Sequence, residues 1–548
     1  MRKQTKIAAL ISAAAVLSVG GAMTAFAATG WQQENGTWVY YNRNEEKVTE
    51  TWQKSGDYWF YLDDKGEMAT DSLIDDNDDT YYVDINGVMV TNRWVAVDNE
   101  NAGEENEPNQ WWYYFGANGK AYKRSDSATG DVSLKTINGK KYTFNADGKM
   151  QYGWVKDGET QHDDNAWQEA DYYFGDENDG AMAEGWKEIS ITDDQAADLQ
   201  PGDNYWDEDQ TRWFYFKSSG KKEKNSEGKT INGKKYGFDQ YGRMNAGWYS
   251  SATASVSSSS VKDGGLQGSA TYSKSFMNFA SPDNGARYTK GWFKTTPGYF
   301  LQRDKYEDGS EYWYYADNNG KLAVNEIKTI NGKKYAFDEY GRMMDGFVVL
   351  QMASLASGSN AYSTKDIVQK VGSQDKYDTS DNLDKFVAAN IDLFKSGELR
   401  SYYFGDGNDG SMKTGKTNVE LDGEKLTFEF AKNGSAKGSG LLGIKDHKYY
   451  FAGKLAKADS DNKIEVLVLG ANDKFEFQGS VEEAFAKFGY TSQPIRKGTQ
   501  YKLTLGTGQK AYLINTSGAM VKSGTKTDGD NYKVSVSNYK INHIDLSE

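Results

Sequence analysis

An exact spacing of residues near the start of the chain constrains its fold more than any other feature. Trp31, Trp52, Leu73 and Trp94 stand 21 residues apart. Inside these intervals, aromatic-rich runs at 38–41, 59–62 and 80–83 keep the same place, and turns that contain glycine separate the runs. Short runs of this kind, repeated at a fixed period, are typical of β-hairpins that stack on one another.

A second, longer period follows this region. The heptapeptide Thr-Ile-Asn-Gly-Lys-Lys-Tyr occurs at 136–142, 230–236 and 329–335, in steps of 94 and 99 residues. Asn-Gly between two such runs predicts a two-residue hairpin turn, because both turn positions need a positive φ. Segments of variable length at about 155–170, 249–274 and 348–400 are predicted to be loop insertions. In the last of them, the apolar spacing predicts one short amphipathic helix near 382–396.

The pattern weakens after residue 416. The fold class predicted is all-β, a β-hairpin repeat solenoid with loop insertions and a degenerate C-terminal β-rich region. The predicted divisions are a signal peptide (1–27), regular 21-residue repeats (28–97), longer repeats with insertions (98–416), and degenerate repeats or a small C-terminal domain (417–548). An apolar run at 463–469 predicts a strand and 481–488 indicates a helix, so a separate α+β domain is an alternative for the last segment.

The N-terminus and the composition indicate an exported protein. Arg2, Lys3 and Lys6 precede an apolar run that ends near Ala25-Phe26-Ala27, and this predicts a secretory signal peptide over 1–27 rather than a membrane span. The chain has 79 acidic and 64 basic residues, a net charge of -15, which disfavours nucleic acid as a partner. It has no cysteine, so disulfides, thiol catalysis and thiolate metal sites are excluded.

Residues for catalysis or metal binding are not grouped along the sequence. His162, His447 and His543 lie far apart, and no two have the spacing of metal ligands. The acidic segments 176–180 and 406–410 lack the alternating ligands and the distant Glu of a calcium loop, so hairpin turns are predicted there. We therefore expect no catalytic residues, no metal and no cofactor. A hydrolase of wall glycan with its catalytic part in 417–548 is kept as an alternative.

Tryptophan occurs in pairs that suit ligand binding. Trp31 and Trp38, like Trp52 and Trp59, are seven residues apart, so each pair would lie on the two strands of one hairpin. The groove between that hairpin and the next would then have aromatic walls. Such a groove attracts quaternary ammonium ligands through cation–π contacts of roughly 0.5–2 kcal/mol each, and a flat indole equally suits stacking on a sugar ring.

These units resemble the choline-binding, or cell-wall-binding, repeats of surface proteins from Gram-positive bacteria. The resemblance rests on the Gly-Trp, Trp-Tyr-Tyr and Gly-x-Met pattern, which covers most of 30–416, and the Asn-Gly variant is similar to repeats of glucan-binding proteins and clostridial toxin tails. The resemblance implies a solenoid that binds choline on teichoic acid, or polysaccharide, between neighbouring hairpins. It also implies boxes of two Trp from one hairpin and a Tyr from the next, often with a Met nearby.

Carried over to this sequence, the resemblance implies five ligand-binding boxes. They are Trp31, Trp38 and Tyr61; Trp52, Trp59 and Tyr82 with Met89; Trp94, Trp112 and Tyr142; Trp186, Trp213 and Tyr236; and Trp292, Trp313 and Tyr335. The groove at Leu73 and Thr80 lacks both indoles and is predicted to be empty. In the three later boxes the Trp spacing is longer, so stacking on sugar or a structural role is as consistent with them as choline.

The function predicted is therefore a non-catalytic, secreted protein of the cell wall or cell surface of a Gram-positive bacterium. Its expected partner is choline-bearing teichoic acid or wall polysaccharide, with no nucleic acid and no membrane span. Binding of glucan or host glycan, as in an adhesin, is the main alternative from the same aromatic grooves. Many weak sites on one repeated scaffold would gain affinity for a repeating polymer through avidity.

Overall fold

In a computed structural model of the chain, the described residues are 29–125, 127–194, 208–250, 267–356, 361–372, 376–489 and 497–546. The predicted signal peptide lies outside them. They form two compact units, the described parts of Met1–Asn245 with Pro282–Gly285 and of Ala246–Ser281 with Ala286–Glu548. The division between the units falls inside the predicted segment 98–416, and the predicted boundaries at 97 and 416 stay predictions.

The first unit is a succession of small antiparallel sheets, most of them single hairpins. Its strands are β1 Gly30–Glu34, β2 Thr37–Tyr41, β3 Thr51–Ser55, β4 Tyr58–Leu62, β5 Ser72–Asp76, β6 Asp79–Val83, β7 Arg93–Asp98, β8 Gln110–Phe115, β9 Lys135–Ile137, β10 Lys140–Tyr142, β11 Gly153–Lys156, β12 Glu159–Thr160, β13 Tyr172–Asp176, β14 Asp179–Met182, β15 Gly185–Thr192, β16 Asp209–Phe216, β17 Ser226–Ile231 and β18 Lys234–Phe238, and helix α1 is Ala166–Glu169. The all-β prediction is confirmed, and the predicted 21-residue period sets the starts of β1, β3, β5 and β7 at residues 30, 51, 72 and 93.

The turns of these hairpins have the backbone conformation that the sequence predicts. Asn138 and Gly139, between β9 and β10, both have positive φ, at 49° and 82°. The same geometry recurs at Asn232 and Gly233. A left-handed backbone is least costly for glycine and is tolerated by asparagine, so this dipeptide fixes both the turn and the strand register.

One backbone hydrogen bond per repeat joins each hairpin to a later turn. The N–H of Met68 donates to the carbonyl of Trp38 at 2.7 Å, and the N–H of Met89 donates to the carbonyl of Trp59 at 2.8 Å. Because an isolated hairpin is only marginally stable in water, these links and the apolar contacts around them hold the stack together. The same bond, at 2.8 Å in each case, joins Met150 to Trp112, Met244 to Trp213 and Met343 to Trp313.

The second unit continues with hairpins and then builds larger sheets. Its strands are β19 Gly247–Ser250, β20 Phe276–Phe279, β21 Gly291–Thr295, β22 Tyr312–Ala316, β23 Glu326–Ile330, β24 Lys333–Phe337, β25 Phe347–Ser354, β26 Tyr362–Lys370, β27 Leu399–Tyr403, β28 Gly415–Leu421, β29 Glu424–Phe430, β30 Gly443–Lys445, β31 Lys448–Phe451, β32 Lys454–Leu455, β33 Ile464–Leu469, β34 Phe475–Gly479, β35 Lys510–Asn515, β36 Gly524–Thr527, β37 Tyr532–Ser537 and β38 Lys540–Leu546. Its helices are α2 Ala270–Ser273, α3 Arg303–Glu307, α4 Ser380–Ala389, α5 Ile391–Ser396 and α6 Val481–Phe488, with a 3₁₀ turn at Ala471–Asp473.

The sequence predicts one helix near 382–396, but the structure has two. Two helices, α4 and α5, lie there, because Asn390 leaves helical geometry with φ -116° and ψ 23° and its side-chain amide donates to the carbonyl of Phe386. The short helices α1, α2 and α3, four or five residues each, were not predicted. They lack the length over which a helical period can be read from a sequence.

One core in the second unit runs across the predicted boundary at 416. It includes Phe347, Leu383 and Leu399 before that point and Phe428 and Leu467 after it. The predicted strand at 463–469 and helix at 481–488 are present as β33 and α6, and Ser480 and Glu483 form a capping box at the start of α6. No helix among the described residues is long and apolar enough to cross a membrane.

Candidate ligand-binding grooves

Each hairpin has two faces with different side chains, because neighbouring residues of a strand point to opposite sides. In the β7–β8 hairpin, Trp94 pairs with Tyr114 and Ala96 pairs with Trp112, so both indoles lie on one face with Tyr114. Tyr113 lies on the other face and is buried. The first face meets the next hairpin, and this stacking creates an aromatic groove between the two.

Box 3 is the groove formed by Trp94 and Trp112 with Tyr142, Phe144 and Met150 of the following repeat. The ring of Trp94 lies 4.9 Å from that of Tyr142, nearly edge-on, and 5.7 Å from that of Phe144, stacked. Tyr142, Phe144 and Met150 are buried in one cluster against which both indoles pack. The structure therefore brings together all three residues that the sequence assigned to this box.

Two further boxes repeat this geometry closely. Box 4 is Trp186, Trp213, Tyr236, Phe238 and Met244, and box 5 is Trp292, Trp313, Tyr335, Phe337 and Met343. In both boxes the first indole lies 4.8 Å from the Tyr ring, and the two indoles lie 6.3 Å apart in box 4 and 6.4 Å apart in box 5, almost perpendicular. Loops between the strands accommodate the longer Trp spacing in these repeats, and the aromatic walls keep the arrangement that they have in box 3.

Box 1 differs from the sequence assignment by one residue. Trp31 packs edge-on against Phe60 at 5.3 Å, and Trp38 shares its face of the β1–β2 hairpin. Tyr61 instead lies on the opposite face of the β3–β4 hairpin from Phe60, where it pairs with Trp52 at 5.2 Å. The sequence assignment of Tyr61 to the box of Trp31 is therefore wrong. Neighbouring residues of a strand lie on opposite faces of the sheet, so Phe60 and not Tyr61 faces Trp31.

The same shift applies to box 2. Trp52 and Trp59 share a face of the β3–β4 hairpin, and Trp52 packs against Tyr81 at 5.1 Å. Tyr82 pairs with Leu73 on the other face, is buried, and donates its hydroxyl hydrogen to Asp71. Burial, helped by this hydrogen bond, raises the pKa of Tyr82 to about 12. Tyr81 therefore replaces Tyr82 as the wall of box 2.

A methionine completes each of the five boxes. Met89, which the sequence placed near box 2, is joined to Trp59 by its backbone N–H, and Met68 occupies the equivalent position in box 1. A Cβ built on Gly87 would come within 2.9 Å of the Met68 methyl group, so the next turn glycine packs directly on this side chain. The thioether thus lies between an indole-bearing strand and the following turn, where its polarisable sulfur suits contact with aromatic rings.

The groove at Leu73 and Thr80 is built differently. Ala121 takes the position of the methionine there, with its N–H donating to the carbonyl of Thr80. Leu73 packs into an aliphatic and aromatic cluster around Val90 and Tyr113, and the hydroxyl of Thr80 donates to Asp75. Both indoles and the methionine are missing, so the geometry of a box is absent from this groove.

Comparison with known proteins shows which protein families and structures the chain resembles. The sequence pattern of the family described as "Choline-binding repeat" matches residues 48–94, which include box 2. Over these residues the chain is similar to choline-binding repeats. A curated relative, glucosyltransferase-S from Streptococcus mutans serotype c, is 26% identical over 246 residues, which are 43% of this chain and 14% of the relative. The chain thus spans about a seventh of the length of that relative.

Two solved structures from Streptococcus pneumoniae also match the chain. The modular autolysin LytC in complex with a synthetic peptidoglycan ligand is 17% identical with a TM-score of 0.30, over 68% of this chain and 66% of that chain. The choline-binding domain of CbpL is 18% identical with a TM-score of 0.24, over 55% of this chain and 100% of that chain.

Charged residues next to the second indole differ between the repeats. Cross-strand neighbours on one face lie about 4.5–5.5 Å apart at Cβ, close enough for a charge to act on a bound ligand. In box 2 this neighbour is Lys54, whose ammonium lies 5.9 Å from the ring centre of Trp59. In box 4 it is Glu188, opposite Trp213, and in box 3 it is the uncharged Ala96.

Sequence reasoning missed part of each of the five boxes. The additional wall residues are Phe60, Tyr81, Phe144, Phe238 and Phe337, and the additional methionines are Met68, Met150, Met244 and Met343. The recurring Gly-x-Met triplet was a usable signal for the methionines, because a copy of it ends at the methionine of each box.

The three histidines occupy unrelated places. His162 contacts the ring of Tyr152, His447 stacks on Tyr539 at 4.4 Å, and His543 lies on β38 with Asp545 4.0 Å away. The acidic segment at 176–180 is the tight turn between β13 and β14, where Asp176 accepts two backbone N–H bonds. This agrees with the hairpin turn predicted there.

Proposed function

We propose that this chain is a non-catalytic cell-wall-binding protein whose five boxes bind choline carried on teichoic acid. The observation that carries the proposal is the recurrence of one wall composition, namely two Trp, a Tyr or Phe, and a Met, in boxes 1 to 5. The match of 48–94 to choline-binding repeats supports it for box 2, and the other boxes share its geometry.

The chemistry of the boxes favours a quaternary ammonium ligand. A trimethylammonium group is bulky and weakly hydrated, so moving it against π faces costs little desolvation, and each ring adds roughly 0.5–2 kcal/mol of attraction. The net charge of -15 further favours a cationic head group over a bare polyanion.

The boxes are proposed to differ in affinity because their neighbouring charges differ. Glu188 would add attraction for a cation in box 4, whereas the ammonium of Lys54 already lies near Trp59 in box 2 and would compete with it. In box 5 the corresponding Lys294 is 3.7 Å from Glu311, and this ion pair offsets its charge. Box 4 is therefore the expected tightest site.

Glucan is the second candidate ligand. The relative that covers 43% of this chain is a glucosyltransferase, and half-buried indoles such as Trp94 and Trp186 offer flat faces for sugar stacking. Binding to wall glycan or host glycan would use the same grooves without needing a charge on the ligand.

One competition experiment separates these proposals. The full chain is bound to immobilised choline and eluted with free choline, with the neutral tert-butyl analogue of choline, or with isomaltose. Choline alone should release the protein, because the neutral analogue has the shape of choline without the charge. Equal release by the neutral analogue would contradict recognition of the ammonium, and retention on α-glucan with release by isomaltose would favour the second candidate.

The proposed location is the cell wall or cell surface of a Gram-positive bacterium, reached by secretion. The predicted signal peptide over 1–27 and the choline-binding repeats support it. Choline should then release the protein from intact producer cells. A lack of turnover of purified wall glycan by the full chain is expected, and release of soluble sugar fragments would contradict the non-catalytic part of the proposal.

A further inference from the structure

A sixth aromatic groove in the first unit holds a lysine where the five boxes hold a methionine. Lys222 follows its turn glycine, Gly220, by two residues, as Met68 follows Gly66. Its backbone N–H donates to the carbonyl of Asp171 at 2.8 Å, the same link that joins Met68 to Trp38. Lys222 therefore occupies the methionine position of the repeat, and its side chain enters the groove from the same point.

The walls of this groove are aromatic. Trp154 lies 5.0 Å from Tyr173 of its own sheet, and 5.3 Å and 6.0 Å from Phe214 and Phe216 of the β15–β16 hairpin. Phe214 and Phe216 are fully buried. Asp171 stands at the position of the second indole of the standard box.

The ammonium of Lys222 lies inside these walls. Its Nζ is 5.2 Å from the ring centre of Trp154 and donates to the backbone carbonyls of Trp167, at 2.5 Å, and Gln168, at 3.3 Å. The residue is only 2% exposed. Among the described residues the Lys222 ammonium has no ion-pair partner, so π faces and carbonyl oxygens take the place of a carboxylate.

The two carbonyls come from the insertion at 155–170. Trp167 and Gln168 belong to helix α1, and the Trp167 ring is anchored by a 2.8 Å hydrogen bond from its indole N–H to the carbonyl of Thr192. A buried ammonium is costly unless hydrogen-bond acceptors surround it. The insertion thus supplies the acceptors that the standard repeat lacks.

We propose that Lys222 acts as a built-in ligand of this sixth groove. Its ammonium fills the place that an external organic cation would take in an aromatic groove, and this closes the groove to such ligands. The inference concerns a groove outside boxes 1 to 5 and does not depend on their binding choline.

The test removes most of the Lys222 side chain by mutation and supplies the missing atoms as a free ligand. Lys222→Ala removes the three methylenes and the ammonium beyond Cβ, which together correspond to n-propylammonium. Calorimetric titration of the full chain should show one equivalent more of bound n-propylammonium in K222A than in the wild type. Lys221→Ala is the matched control, because the neighbouring Lys221 is exposed and its ammonium lies 5.9 Å from the Tyr172 ring. K221A should match the wild type.

Two outcomes would overturn the proposal. One is equal n-propylammonium stoichiometry in K222A and the wild type, and the other is equal binding of the neutral n-propanol by K222A. If K222A does not fold, Lys222→Met tests the same point, because methionine holds this position in the five boxes. K222M should gain one equivalent of tetramethylammonium over the wild type, and no gain would reject the built-in ligand. Absence of choline binding by the wild type would reject the proposed function and leave both stoichiometry tests valid.

Discussion

The residue two positions after each turn glycine reaches back over the preceding hairpin through a backbone hydrogen bond, so its side chain sets what the groove contains. Met68 lines an aromatic box, Ala121 leaves room for the cluster around Leu73, and Lys222 places an ammonium over Trp154. The backbone link is the same in all three cases. A single side chain therefore changes the ligand chemistry of a groove without changing the fold.

Burial lowers the pKa of Lys222 from its ordinary value of 10.5 to about 8. Asp171 and Asp239 favour the charged form and Lys224 opposes it, but desolvation is the largest influence. The π face of Trp154 and the two carbonyls also favour the ammonium. At neutral pH the side chain is therefore mostly charged, and it loses its proton more easily than a lysine in the unfolded chain.

This difference makes stability depend on pH through Lys222. Between pH 8 and about 10 the unfolded chain holds a proton that the folded chain releases, so the free energy of unfolding should rise with pH, by at most about 1.4 kcal/mol per pH unit. Chemical denaturation of the wild type and K222M across this range should show the rise only in the wild type. The buried tyrosines titrate in both proteins and cancel in the comparison. Parallel pH profiles would contradict the prediction.

At the scale of one strand, β8 carries adjacent indoles with opposite environments. Trp112 lies on the face that forms box 3, while Trp111 lies on the other face with the ammonium of Lys149 4.6 Å from its ring centre. Both indoles are half-buried. The strand therefore supplies a matched pair of substitutions that differ mainly in which groove they face.

We expect Trp112→Ala to weaken ligand binding in box 3 and Trp111→Ala to leave it unchanged. Loss of one cation–π wall should weaken choline at that box by roughly 2- to 30-fold, which corresponds to about 0.5–2 kcal/mol. Calorimetry of the full chain should show one weakened choline site for W112A and unchanged affinities for W111A. Equal loss in both variants would indicate general destabilisation and contradict a role for the face that carries Trp112.

The hairpins were predictable from sequence because their signals are local. The 21-residue spacing places β1 to β7 and the tryptophans Trp31, Trp52 and Trp94 correctly, and the Asn-Gly turn places β9 and β10. The partner across each groove was harder, since Phe60 and Tyr61 are both aromatic and only the strand register decides which one faces Trp31. Contacts between units of a repeat are not encoded in the spacing within a unit.

Non-local pairing and short inserted elements account for the rest. The strand β33 was predicted from its apolar run, but its pairing with β35, which starts more than 40 residues later, is not indicated by either segment alone. Helix α1 has four residues and no periodic signal, yet it provides the acceptors for Lys222. The Lys222 groove was therefore not predicted from the sequence. The Gly-x-Lys triplet at 220–222 nevertheless occupies the position that a Gly-x-Met triplet has in the five boxes.

At the scale of the whole molecule, the number of boxes matters more than the strength of any one. Four of them, boxes 1 to 4, belong to the first unit, and box 5 belongs to the second. Under the proposed function, a polymer with choline on each repeating unit would occupy several boxes at once, so each further contact would be intramolecular and avidity would exceed single-site affinity by about 10²- to 10⁴-fold. Under the proposed function, the net charge of -15 would repel the phosphates of the polymer and leave the choline heads as the attractive groups.

Removing boxes should therefore affect polymer and free choline differently. In the double variant Trp112→Ala/Trp213→Ala, boxes 3 and 4 lose a wall each, while the remaining boxes keep their contacts. Choline affinity at the remaining sites should equal that of the wild type, whereas affinity for choline-bearing teichoic acid should fall by roughly tenfold or more, because avidity multiplies the contribution of each contact. Calorimetry with choline and surface binding to purified polymer measure the two quantities, with W111A as control. A loss of polymer affinity merely proportional to the number of sites would mean that the boxes bind one at a time.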